Sequence, residues 1–160
     1  MKDIIVMSRS EARRFSFNKN IPPCIIISID TDGVHNNLNR NQNIKAVKNF
    51  TFDDIEDGDN AITHGQANAI ADFVKRWIDR VDTVVVHCDA GVSRSAGVGA
   101  AIMKWANNDD SLIFDNGKFC PNMRCFRFML NALMCDVSED VITTSENRNI
   151  EAWKVLHKID

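Results

Sequence analysis

Residues 83–105 read TVVVHCDAGVSRSAGVGAAIMKW, and no other stretch constrains the fold as strongly. Thr83, Val84, Val85 and Val86 follow one another without polar alternation, which suits a strand buried on both faces, as in a parallel sheet covered by helices. From Ser95 to Trp105 the chain is apolar and rich in small residues, as in a helix pressed closely onto its neighbours. Only CDAGVSR separates the two, so strand must pass into helix through seven residues.

The rest of the chain repeats that alternation. DIIVM (residues 3–7) reads as a short buried strand, and Ser8 and Glu11 after it have the S-x-x-E spacing of a capping box. CIIISI (residues 24–29) is a β-branched run entered through Pro22 and Pro23 and left through the polar loop TDGVHNNLNRNQN. KAVKNFTF (residues 45–52) is the next expected strand, and it ends in the acidic run DDIEDGD. Between residues 62 and 80 the apolar side chains Ile70, Phe73, Val74, Trp77 and Ile78 follow helical spacing. Further helices are expected at PNMRCFRFMLNALM (residues 121–134), with Phe126, Met129, Leu130, Leu133 and Met134 along one stripe, and in a tail carrying Ile150, Trp153 and Leu156. Strands alternating with helices predict an α/β fold with a central, mostly parallel sheet flanked by helices, and 160 residues suit a compact single domain.

Composition narrows the function. A formal net charge of -3 argues against nucleic acid as the main partner, and no apolar run reaches the roughly 18–20 residues of a membrane span. With no export-type leader at the start, a cytoplasmic location is expected. Five cysteines, Cys24, Cys88, Cys120, Cys125 and Cys135, are an odd number for a disulfide framework. None is spaced C-x-x-C, and His35, His64, His87 and His157 are scattered, so neither a metal nor another cofactor is expected.

A tight loop between a strand end and a helix start points backbone N–H groups inward, and the helix adds the positive end of its dipole. Cys88 opens that loop and Arg94 closes it six positions later, with Gly91 between them to permit a conformation that a side chain hinders. Thiols at helix N-termini beside cations ionise at about pH 3.5–7.5, against about 8.5 for a free thiol, so Cys88 is expected as a thiolate. Arg94 offers a planar, permanently charged fork for two oxygens of a phosphate.

These residues carry a resemblance. HCDAGVSRS resembles the signature loop of the cysteine-dependent tyrosine and dual-specificity phosphatases, and FTFDDI, the amphipathic helix, VVVHC and SAGVGAAIMKW follow the order of their compact members across residues 50–105, about half the chain. FDDI, HCDAGVSRSAGV and the later PN before a helix are most similar to small tyrosine phosphatases of bacteria and their viruses. The first 45 residues match only as a pattern of strand and helix.

The resemblance implies a nucleophile at Cys88 that forms a phosphocysteine, with Arg94 and the loop amides of Asp89, Ala90, Gly91, Val92 and Ser93 holding the phosphate oxygens. It implies that Ser95 hydrogen-bonds the sulfur, with an ordinary helix N-cap as the plain alternative, and that His87 supports the loop. It requires an aspartic general acid upstream. Asp54 is the first choice, followed by Asp53 and then Asp57. Asp89 places a negative charge beside the loop, where Arg94 is the only cation, which disfavours polyanionic inositol phosphates. The expected substrate is a phosphorylated protein or small aryl phosphate, and phosphate, sulfate or vanadate fits the same loop. Two other readings remain: a phosphate- or phosphoprotein-binding module of weak activity, and an arsenate reductase-like or rhodanese-like thiol enzyme. The former lacks a reason to keep nucleophile, clamp and acid together, and the latter needs further redox cysteines near Cys88.

Overall fold

TVVVH forms an inner strand of a four-stranded sheet in the computed structural model, which describes all 160 residues. The elements run β1 (Asp3–Met7), α1 (Arg9–Phe17), β2 (Cys24–Asp30), β3 (Ile44–Thr51), α2 (His64–Trp77), β4 (Thr83–His87), α3 (Arg94–Asn107), α4 (Ser111–Phe114), α5 (Met123–Ala132) and α6 (Glu139–His157). Strand order is β1-β4-β2-β3, every pair parallel, with Val85 opposite Ile5 on one side and Ile26 on the other. Because β2 and β4 are inner strands, every residue of both is buried, which is why their sequences run apolar without alternation. The edge strand β3 is mostly exposed, burying only Phe50, and carries Lys45 and Lys48, charges that discourage pairing with another sheet.

Helix α3 packs on β1 and β4, and α5 packs on α3 and α2. A Cβ at Gly99 would strike the Val6 side chain, and one at Gly97 would strike the Asn122 carbonyl, so the small residues early in α3 set how closely sheet and helices approach. Thirty-one of the buried apolar residues form one cluster, with Ile25, Ile27, Ile70, Ile102, Phe114, Phe126 and Met129 almost wholly enclosed. No helix is long and apolar enough to cross a membrane.

The expected capping box at Ser8 and Glu11 forms in full, and α2 has a second, made by Thr63 and Gln66. Three boundaries differ from expectation. Helix α3 starts at Arg94, with Ser93 rather than Ser95 at the cap. Helix α5 stops at Ala132, leaving Met134 exposed instead of in the apolar stripe. The closing helix α6 starts at Glu139, well before Ile150. It buries only Ile142 and Ser145, so hydrophobic periodicity marked it faintly. Its caps mark it better: Ser138 accepts from the Val141 amide, acids fill the first turn, and Lys154 and His157 fill the last.

Candidate active site

The site is assembled at the C-terminal ends of β4 and β2 and the N-terminus of α3, where ligands of parallel sheets generally bind. Cys88 leaves β4 buried, 2% exposed, and its Sγ lies 3.0 Å from Ser95 Oγ and accepts the Gly91 N–H at 3.3 Å. Gly91 has φ +75°, and a Cβ there would collide with the Ser8 nitrogen and the Met7 carbonyl. Loop and β1–α1 junction therefore touch backbone to backbone, which only glycine permits. The amides of Asp89, Ala90, Val92, Ser93, Arg94 and Ser95 donate to no protein group, so the loop and first turn of α3 present a set of free N–H donors.

Arg94 is 5% exposed, and the fold orients it through three contacts. Its Nη1 donates to Thr31 Oγ1 and to the Phe52 carbonyl, both at 2.8 Å, and its Nη2 donates to Asp89 Oδ2 at 3.1 Å. Its Nε is buried with no partner in the protein. A desolvated guanidinium with two of its five N–H donors open, one on Nε and one on Nη2, is an anion site in chemical terms. Thr31 is held by its neighbour Asp30, whose carboxylate accepts from Gly33 N–H at 2.7 Å and Thr51 Oγ1 at 2.9 Å, with His35 Nδ1 3.0 Å away. Burial works against ionisation of Asp30, but these three donors outweigh it and hold its pKa below the usual carboxylate value.

Arg94 is the only cation within the loop beside Asp89, and the fold adds one from outside it: Arg9, brought in by α1, lies 3.8 Å from Asp89 Oδ1. Both side chains are partly exposed, so the pair contributes about 0–1 kcal/mol; its larger effect is to neutralise Asp89. His87 is fully buried: its Nδ1 lies 3.3 Å from the Cys88 carbonyl and its Nε2 lies 3.4 Å from Asn36 Nδ2. Burial depresses its pKa, which leaves a neutral ring buttressing the loop from behind.

The three aspartates differ in what they touch. Asp54 Oδ1 accepts from Ser93 Oγ at 2.7 Å and from Asn122 Nδ2 at 3.1 Å, leaving Oδ2 without a protein partner. The Ser93 hydroxyl is thus engaged by Asp54 and does not cap α3. Asp53 lines a polar groove that also includes Thr31 and Phe52, the partners of Arg94. Asp57 lines both the groove of Asp54 and Ser93 and a second one against Arg124 and Arg127 of α5. Among the other cysteines, Cys125 is buried in α5 and Cys135 half-buried just beyond it, both thiols pushed up by burial, while Cys120 is exposed in the groove beside Asp54 and Ser93. No group of three or more His, Cys, Asp or Glu side chains is gathered as a metal site would need.

Arg9, Thr31, Asn36 and Asn122 belong to this site and escaped the reading of the sequence. Each reaches it across a long chain separation, so no spacing rule points there. Local signals existed for two: Thr31 sits in a loop where Asp32 accepts from Val34 N–H with the spacing of an Asx turn, and Asn122 is a helix N-cap accepting from Cys125 N–H at 3.0 Å.

No protein-family model and no curated protein matches the sequence. Solved structures do. The human tyrosine phosphatase-like serine/threonine/tyrosine-interacting protein superposes with a TM-score of 0.53 at 14% identity, over 96% of this chain and 92% of that one. Human DUSP28 gives 0.49 at 11%, over 96% and 94%, and the Cydia pomonella PTP-2 phosphatase gives 0.48 at 16%, over 92% and 86%. The architecture, an α/β fold with a parallel sheet flanked by helices, is shared with that human tyrosine phosphatase-like protein.

Proposed function

We propose that the chain is a phosphomonoester hydrolase that works through a phosphocysteine at Cys88, with Asp54 as general acid and a protein phosphotyrosine or small aryl phosphate as substrate. One observation carries the reading. A buried thiol and a buried guanidinium whose Nε has no partner stand at the two ends of one short loop, and six amides of that loop and the first turn of α3 have no protein partner. Together these donors fit the equatorial oxygens of a transferring phosphoryl group, whose charge they stabilise without rearranging. The protein fold supports the same reading at the level of architecture.

In the first step a lone pair of the Cys88 thiolate forms the S–P bond as the ester P–O bond breaks, and the leaving oxygen takes the proton of Asp54. Oδ1 is occupied by Ser93 and Asn122, so the proton sits on Oδ2. In the second step water bonds to phosphorus and returns a proton to Asp54, while the S–P pair goes back to sulfur, where the Ser95 hydroxyl and Gly91 N–H receive it. Asp89, neutralised by Arg9 and Arg94, orients Arg94.

The test is turnover of para-nitrophenyl phosphate with vanadate as inhibitor. Cys88→Ser abolishes turnover and keeps phosphate binding, a phosphocysteine is trapped on Cys88 of the wild type by acid quench and mass spectrometry, and Asp54→Asn slows turnover about 10²–10⁴-fold. Phosphate binding without wild-type turnover would instead favour the binding-module reading. Arsenate-dependent thiol oxidation without ester hydrolysis would favour the reductase.

A further inference from the structure

The segment bearing Asp54 does not hold its own shape. Residues 53–60 are polar and mostly exposed, Gly58 has φ +105°, and the internal backbone bonds are two, Asp53 N–H to Asn60 O at 2.7 Å and Ala61 N–H to Gly58 O at 3.3 Å. Ser93 Oγ donates to Asp54, and the other fixing points come from the first turn of α5. Asn122 Nδ2 donates to the Ile55 carbonyl at 3.1 Å as well as to Asp54, and Met123 N–H donates to Glu56 Oε1 at 2.9 Å. Arg124 reaches furthest: its Nε–H donates to the Ile62 carbonyl at 2.9 Å and its Nη1–H to the Glu56 carbonyl at 3.3 Å. Its guanidinium carbon lies 4.5 Å from the centre of the Phe128 ring, and that ring stacks on His64, the first residue of α2, with centroids 3.9 Å apart.

We propose that Arg124 is a positioning residue for the acid at Asp54, a role that rests on the assignment of Asp54 above. One planar fork ties the middle of the acidic segment and its exit into α2 to the same turn of α5, on an aromatic seat. A lysine carries its three donors on one nitrogen and has no plane to lie on Phe128, so it does not reproduce a fork that meets the two carbonyls from separate nitrogens. Without the fork the segment keeps Ser93 and Asn122 on Asp54 and the Met123 amide on Glu56, but its middle and its exit into α2 are released, and Asp54 spends less time facing the leaving oxygen. The loss falls on the protonation of that oxygen and spares phosphate binding, which belongs to the loop after β4.

The experiment compares wild type, Arg124→Ala and Arg124→Lys on phenyl phosphate, whose leaving group needs a proton, and para-nitrophenyl phosphate, whose leaving group needs it less. Both variants are expected to lose about tenfold in kcat on phenyl phosphate and less than about threefold on para-nitrophenyl phosphate, with KM unchanged. Equal losses on the two esters, or no loss, overturn the proposal. Amide hydrogen exchange reads the same clamp without turnover: in Arg124→Ala, residues 55–62 exchange about tenfold faster while β4 and α3 are unchanged, and unaltered exchange overturns it. A wild type inactive on both esters refutes the phosphatase reading, and the acid role of the clamp with it; the exchange rates then still decide whether Arg124 holds the segment.

Discussion

His87 shows at the scale of one residue how burial sets both tautomer and pH response. Nδ1–H facing the Cys88 carbonyl and Nε2 facing the Asn36 amide are satisfied together only by the neutral ring. Burial, first among the causes, lowers its pKa below the ordinary 6.5. The folded chain therefore binds this proton less readily than the unfolded chain. The resulting stability is present above about pH 6.5 and is lost as pH falls through the lower folded value. Asp30, whose pKa is also lowered, acts in a separate window below about pH 3.8. Urea midpoints measured from pH 7 to pH 5 are expected to fall in the wild type and to flatten in His87→Gln. A wild-type midpoint that does not move over this range contradicts the assignment.

At the scale of the element, the end of α5 spends stability on geometry. Met134 adopts φ +60°, so that Cys135 N–H can return to the Leu130 carbonyl at 2.8 Å and Met134 N–H to Asn131 O at 3.1 Å, closing the last turn. A left-handed conformation costs an L-residue about 1–2 kcal/mol, and Met134 is 88% exposed, so its side chain returns little packing. Met134→Gly relieves the clash at the cost of extra freedom in the unfolded chain. The net expectation is a gain of about 0.5–1 kcal/mol, read as a higher urea midpoint with unchanged slope. A lowered midpoint would show that the methionine packs in a way its exposure does not suggest.

Across the whole molecule, α6 is fastened by charge as much as by apolar contact. Arg148 donates from Nε and Nη2 to both carboxylate oxygens of Asp115 at 2.9 Å, and from Nη1 to Asp110 Oδ1 at 3.0 Å. Its pKa is raised, first by the hydrogen bonds to Asp115. Asp110 is 4% exposed, and without Arg148 its nearest cation is Lys104, 3.8 Å from Oδ2. Arg148→Ala strands that carboxylate. Because Arg148 itself is one-third exposed, the expected loss is about 1–2 kcal/mol rather than the 3–5 kcal/mol of a fully buried pair. Chemical denaturation gives the number, and faster amide exchange confined to α6 and residues 110–115 gives the location. A midpoint within error of wild type means the staple contributes nothing.

The parallel sheet, the order of its strands and helices, the Ser8 capping box and the strand-loop-helix around Cys88 were legible in the residues, because each depends on periodicity, capping chemistry or contiguous spacing. Ser95 beside the sulfur and Gly91 against the β1–α1 junction lie in that contiguous loop. What only the tertiary structure decided was which groups arrive from elsewhere: Thr31 and the Phe52 carbonyl on Arg94, Arg9 on Asp89, Asn36 on His87, and Asn122 with Ser93 on Asp54 rather than on Asp53 or Asp57. Adjacent aspartates in an exposed run have nearly the same composition around them, so no local rule ranks them. Chain separation from the loop leaves no spacing signal, and packing of α1, α5 and the loop after β2 around one strand end is what selects the partners.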